Sequence, residues 1–222
     1  KAWIATTPAG KVTAPRVIMA TNGHARSFGL FRGRLAHVYT FASMTRELTR
    51  GEIGKLGGQL EWGLTPADPL GATVRRTSGT GGDRIVIRSR FTYEPSMEVD
   101  PAKLDGIWAT HNAGFAARFP MLPDMKMEYR WGGHLCLSRN NVPAFGEVKP
   151  GLFSACCQNG LGTVKGTLHG MLAAELALGE SSDALTSVLA LPKPKLLPPP
   201  PIARLGATAK IRWGEWRAGR EI

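Results

Sequence analysis

Between Gly151 and Gly179 an apolar run, Leu152-Phe-Ser-Ala-Cys-Cys157, breaks into Gln158-Asn-Gly-Leu-Gly162 and resumes as a helical pattern that stops at a glycine. The run predicts a buried strand, Gly160 and Gly162 a tight turn, and Val164, Leu168, Leu172 and Leu176, recurring every four residues, a helix. A turn of this kind leaves the first helical N–H groups unpaired at the positive end of the dipole. A phosphate, a carboxylate or an electron-rich ring is stabilised there. Gly162, Gly166, Gly170 and Ala174 form a second row almost without side chains. Glycine costs up to about 1 kcal/mol per site inside a helix, so this row predicts a backbone or a flat ligand against that face. Tight helix packing alone would give the same spacing.

Gly160-x-Gly162 begins a dinucleotide fingerprint, but Lys165 stands where the third glycine belongs. A polar Gly-Glu-Ser-Ser-Asp run and a proline-rich stretch follow Gly179, with no second strand and acidic residue, which excludes a self-contained Rossmann unit. Upstream, Val17 to Ala20 reads as a buried strand with a small polar exit at Thr21, Asn22 and Gly23.

The middle of the chain reads differently. Phe31–Phe41 and Arg84–Phe91 alternate with period two and predict antiparallel strands, with turn formers from Gly71 to Gly82 between them. Pro101 to Phe119 predicts a helix capped by Asp100 and stopped by Pro120, with Leu104, Ile107, Trp108 and Phe115 on one face. His111 on that helix reads as packed or solvated. Leu191 to Pro201 predicts an extended, semi-rigid tether, and the end that follows is basic, with Trp213 and Trp216.

No apolar run approaches the roughly 18 residues of a membrane span, and no export signal is visible. Cys136, Cys156 and Cys157 make an odd number without metal-ligand spacing. They predict a reducing, cytoplasmic setting, no disulfide framework and no metal. The formal charge is +11, but from Lys193 onward seven Lys or Arg stand against two acids. The remainder, including Arg75-Arg76, Arg84, Arg88 and Arg90, alternates along apparent strands as a solvated basic face does, and no nucleic-acid-binding motif accompanies it. Such a charge would also speed the encounter with acidic substrates.

Ala20-Thr-Asn-Gly23, a long insert, Arg130-Trp-Gly-Gly133, Asn140-Asn-Val-Pro-Ala-Phe-Gly146, Pro150-Gly-Leu-Phe153 and Asn159-Gly-Leu-Gly162 occur in that order. The order resembles the C-terminal portion of the FAD-dependent D-amino-acid oxidase and glycine/sarcosine oxidase superfamily, most of all its gamma-glutamylputrescine oxidase-like branch. The resemblance implies an α/β (α+β) chain, part of a GR2-like FAD-binding fold without the N-terminal dinucleotide fingerprint, carrying an inserted antiparallel-sheet substrate domain. It divides the chain into the end of an FAD-binding domain (1–29), the substrate domain (30–132), a return to the FAD-binding domain (133–180), and a proline-rich linker with a basic tail (181–222).

By the same resemblance, Thr21, Asn22, Gly23, Asn159, Gly160, Leu161, Gly162 and Thr163 contact FAD. Trp131, His134 and Gln158 face a small amine or amino-acid substrate, and no catalytic side chain is assigned. In sarcosine oxidase-like relatives a lysine follows the second turn glycine by two positions. Val164 is there in this chain and Lys165 comes one later, so that role is not carried over. The family's N-terminal FAD-binding half is expected as a missing segment or a partner chain. Two other readings stay open: a silent subunit that completes a partner's flavin pocket, and a basic nucleic-acid-binding module.

Overall fold

The computed structural model describes residues 2–222. In chain order the elements are β1 (Trp3–Thr7), β2 (Gly10–Ala14), β3 (Val17–Met19), β4 (Leu35–Thr45), α1 (Arg50–Leu56), β5 (Trp62–Leu64), β6 (Thr73–Thr77), β7 (Arg84–Tyr93), α2 (Leu104–Arg118), β8 (Met127–Ser138), β9 (Ala144–Lys149), β10 (Leu152–Cys156), α3 (Thr167–Leu178), α4 (Asp183–Leu189) and α5 (Pro200–Ala218). The class is mixed α/β. The chain divides into two units, Lys1–His37 with Leu135–Pro200, and Val38–His134 with Pro201–Ile222.

In the first unit β10 lies between β3, which it pairs in parallel, and β9, which it pairs antiparallel. All five residues of β10 are buried, as their continuous apolar character requires of a strand covered on both faces. Its entry is tight. Gly151 has φ +75°, its carbonyl accepts from Val17 N at 2.9 Å, and a Cβ there would stand 2.7 Å from the Pro15 carbonyl oxygen. Ala25, Leu30, Leu35, Cys136, Ala144 and Cys156 are among the residues of the core beneath.

The helix after the bend has a different phase from the one its leucines suggest. Gly162–Gly166 forms a π turn before α3 begins. The wider turn shifts the inward face to His169, Leu172, Ala173 and Ala177, leaving Val164 73% and Leu168 40% exposed. The proline-rich stretch is held down along the first unit rather than left as a tether. Arg34 Nη1 donates to the Pro194 carbonyl at 2.6 Å, Leu197 N to Gly33 at 2.8 Å, and Lys195 N to the Asn140 carboxamide oxygen at 3.0 Å.

The second unit is built on a sheet of order β5-β6-β7-β4-β8. Strand β6 falls inside the segment that reads as turns. Ile85, Ile87 and Val74 on one face pack with Phe115 and Phe119, and Phe41 meets Trp108 edge-on at 5.9 Å. These contacts put α2 on that face. Asp100 caps the 3-10 turn leading into α2 through Ala102 N, as expected. Helix α5, in the basic tail, buries Gly214, Glu215 and Ala218. Glu215 pairs with Arg90 at 2.9 Å and accepts from Phe91 N, while Trp213 and Trp216 stay exposed.

Candidate functional site

Three backbone departures meet where β3 and β10 end. Asn22 (φ +48°), Cys157 (φ +61°) and Asn159 (φ +51°) are all left-handed without being glycine. Such conformations cost of order 1–3 kcal/mol each and persist only where the surroundings over-determine them. Here side chains do so. The Asn22 carboxamide oxygen accepts from Cys157 N at 3.2 Å, and the Cys156 thiol lies 3.2 Å from the Met19 carbonyl, clipping the two strand exits together. Asn159 is committed to its surroundings: its oxygen accepts from Ser138 N at 2.8 Å, its amide nitrogen donates to Val142 at 3.1 Å, and its backbone N–H donates to Cys136 at 3.2 Å.

Gln158 is buried and equally committed. Its nitrogen donates to the Ala155 carbonyl at 2.8 Å, which leaves its oxygen 2.7 Å from His169 Nδ1. A carbonyl only accepts, so the amide orientation is set, and the proton of His169 must sit on Nδ1. Burial, with the nearby Lys165 charge adding, lowers the His169 pKa and keeps the ring neutral. Nothing in the one-dimensional pattern marks His169. It is the ninth residue beyond Gly160 and is found only by its partner.

What remains free at the bend is backbone. Leu161 N donates back to Gln158, and the first helical bond runs from Lys165 N to Leu161 O at 2.9 Å. The N–H groups of Gly162, Thr163 and Val164 precede that bond and carry the positive end of the helix. A Cβ built on Gly160 (φ +83°) or Gly162 would meet nothing within 4 Å, and Leu161 is 58% exposed. The bend is therefore open. Thr21 is exposed and Gly23 buried, at the start of the 3-10 turn Asn22–Phe28.

Cys136, Cys156 and Cys157 are free and buried. The neighbouring Cys157 thiol and then burial push the Cys136 pKa up, so Cys136 is a packed, protonated thiol. No group of His, Cys, Asp and Glu suited to a metal ion occurs among the described residues. A depression of about 530 Å³ lined by Pro15, Arg16, Glu147, Gly151 and Leu176 lies at the opposite end of β10 from the bend.

Trp131 and His134 belong to the second unit and project from opposite faces of β8. The Cβ position of Gly132 stands 3.2 Å from Phe41 on the α2 face, and His134, two residues on, is 5.4 Å from the Tyr39 ring. Alternation then turns Trp131, 44% exposed, to the other face. His111 is wholly buried on the α2 face, 2.8 Å from Ser43 Oγ. This serine–histidine pair has no access to solvent and is a core contact. Among the described residues no helix is long and apolar enough to cross a membrane.

A family model described as FAD dependent oxidoreductase matches residues 1–176. A probable oxidoreductase, OrdL, of Rhizobium meliloti is 27% identical over 179 residues, 80% of this chain but 39% of its own length. Among solved structures, glycine oxidase from Geobacillus kaustophilus superposes with a TM-score of 0.59 at 19% identity, covering 81% of this chain and 46% of that one. L-proline dehydrogenase from P. horikoshii gives 0.56 at 18% identity, covering 92% and 50%. The chain thus spans half or less of the length of these relatives.

Proposed function

The chain belongs to the FAD dependent oxidoreductase family, and on that footing we propose that it forms the flavin-pyrimidine and substrate side of an enzyme oxidising the C–N bond of a small amine or amino acid. When bound, FAD supplies the acceptor for a hydride from the substrate's α-carbon. The chain's own part is to bind, orient and keep water out. With FAD held at the bend, the N–H groups of Gly162 and Thr163 would stabilise negative charge developing on the ring. Asn159 and Gln158 hold the bend in shape, and Thr21, Asn22 and Gly23 form the neighbouring contact from the exit of β3. Trp131, exposed on its face of β8, walls the substrate side.

The observation that carries this reading is the open bend: free N–H groups, and no side chain within 4 Å of the Gly160 and Gly162 Cβ positions, suit a flat, electron-rich ring. The motif order from Ala20 to Gly162 supports a place in the gamma-glutamylputrescine oxidase-like branch. It also supports the division into flavin-domain segments 1–29 and 133–180 around a substrate domain, 30–132, with 181–222 as the tail. Unpaired thiols suit a reducing compartment, the cytoplasm.

A second reading is favoured by the exposed row Leu161, Val164, Leu168 and Met171. In it, the chain is a non-catalytic subunit that completes the flavin pocket of a partner polypeptide. Absorbance spectra distinguish the two. The chain joined to a family N-terminal FAD-binding half should purify yellow and be bleached by an amine or amino acid. A yellow complex that no amine bleaches supports the second reading. A preparation colourless in every pairing, and retained on DNA in a salt-sensitive manner, overturns both.

A further inference from the structure

We propose that the outer face of α5 lies on the surface of a bilayer containing anionic lipid, as an interfacial helix that does not span it. Ala203, Ala207, Ile211, Gly214, Glu215 and Ala218 are its buried or half-buried positions, and their helical spacing marks the inward face. Each residue turns the helix by about 100°, so Ile202, Leu205, Ala209, Trp213 and Trp216 fall on the opposite side. The large ones are exposed: Ile202 61%, Leu205 74%, Trp213 58% and Trp216 75%. A single exposed apolar residue is ordinary. Here they form one stripe over about 21 Å of helix.

The second unit holds α5 in a fixed phase. Glu215 pairs with Arg90 at 2.9 Å and accepts from Phe91 N at 3.3 Å. A Cβ on Gly214 would collide with the Leu70 side chain, and Arg217 reaches Asp68 at 3.6 Å. Rotation to hide the stripe would break these contacts and pull the Glu215 carboxylate out of its ion pair.

Cations border the stripe on both sides. Lys210 stands three residues before Trp213 and Arg217 four after it, while Arg212 stands four before Trp216. Those spacings make side chains neighbours on a helix surface. The Arg217 guanidinium lies over the Trp213 ring, Cζ 5.0 Å from its centroid. The acids of this end turn away: Glu215 is buried, and Glu221 accepts from Asp68 N at 2.9 Å.

What covers this face must therefore be apolar along its middle and negative at its edges. An anionic bilayer is both, because tryptophan rings rest at headgroup level and each nearby Lys or Arg adds attraction. A second copy of the chain would set the same cations against each other. Nucleic acid offers Ile202 and Leu205 no apolar surface. No helix among the described residues is long and apolar enough to cross a membrane, which leaves α5 lying in the interface.

The test is sedimentation of the full chain, alone and in its flavin-loaded complex, with vesicles of phosphatidylcholine with or without phosphatidylglycerol. Both should bind the anionic vesicles, less tightly as salt rises. Lys210→Gln with Arg212→Gln should weaken that binding about 30-fold, and Trp213→Ala or Trp216→Ala about tenfold each, the effect of roughly 55 Å² of apolar surface returned to water. Brominated lipid should quench the tryptophan emission of the wild type. Trp213→Phe with Trp216→Phe, which keeps the apolar stripe and serves if an alanine variant does not fold, should still bind but lose the quenching. Wild type that ignores anionic vesicles, or quenching unchanged in the phenylalanine variant, overturns the proposal. So does binding by the chain that the loaded complex lacks, which would assign the stripe to the N-terminal half, or a dimer dispersed by Trp216→Ala without vesicle binding. No turnover enters these measurements, so the oxidoreductase reading stands or falls apart from them.

Discussion

Lowering the pH from 7 to 4 is expected to remove about 3 kcal/mol of stability through His111 alone. The ring is wholly buried beside Ser43, and its pKa is lowered to about 4. Burial is the main cause. The Ser89 backbone carbonyl opposes it, and the charges of Arg130 and Arg90 add smaller contributions in the lowering direction. In the unfolded chain the same ring titrates near 6.5. Between these values the unfolded state binds the proton and the folded state does not, so stability is complete above about 6.5 and is lost as pH falls towards 4. A gap of about 2.5 units at 1.36 kcal/mol each gives the magnitude.

Urea denaturation at half-unit pH steps measures it, for the wild type and for His111→Gln. The wild-type curve should fall through the window, and the variant should be flatter by about 3 kcal/mol at pH 4. His169, lowered in the same direction, accounts for residual slope and is removed by His169→Gln. Glu52, held down to about 2 chiefly by its hydrogen bond from Arg46, loses its contribution only between about 4.5 and 2, below the window. Parallel curves for wild type and His111→Gln would refute the reasoning.

Gly151→Ala should lower the urea midpoint by an amount equivalent to about 2–4 kcal/mol, from the left-handed backbone together with the clash. An unchanged midpoint would mean that the close approach to the Pro15 carbonyl has no energetic content. Glu215→Ala removes the buried partner of Arg90 and should cost close to the lower end of about 3–5 kcal/mol, because the Arg90 side chain remains 21% exposed. Arg212, 64% exposed in the same cluster, should tolerate alanine within about 0.5 kcal/mol by the same denaturation assay.

The strand, bend and helix around Gly160 were legible because each depends on local chemistry: a continuous apolar run, two glycines and a four-residue repeat. The phase of the helix was not. A single π turn moved its buried face away from Val164 and Leu168, and no side-chain period predicts where such a turn inserts. Strand β6 was hidden for another reason. Its Arg75-Arg76 pair reads as solvated surface, yet Arg76 is buried, donating to the carbonyls of Gly57 at 2.8 Å and Gln59 at 3.0 Å. The proline stretch favours an extended backbone, as expected, but the contacts holding it at Arg34 and Asn140 are more than fifty residues away in sequence.

The candidate site divides along the same line. Its backbone donors could be read from Asn159-Gly-Leu-Gly162 because a helix start exposes N–H groups whatever surrounds it. The side chains required coordinates. Gln158 turned out to face His169, Asn159 to clip the neighbouring loop, and Trp131 and His134 to part across β8. Trp213 and Trp216, two rings of a basic end in the sequence, formed an outward stripe only when Glu215 turned inward to Arg90. Local propensity and periodicity thus determined the elements, the open bend and the family order. Tertiary packing decided which charges lost their water and which rings stayed in it, because desolvation and cross-strand register depend on neighbours far apart in the chain.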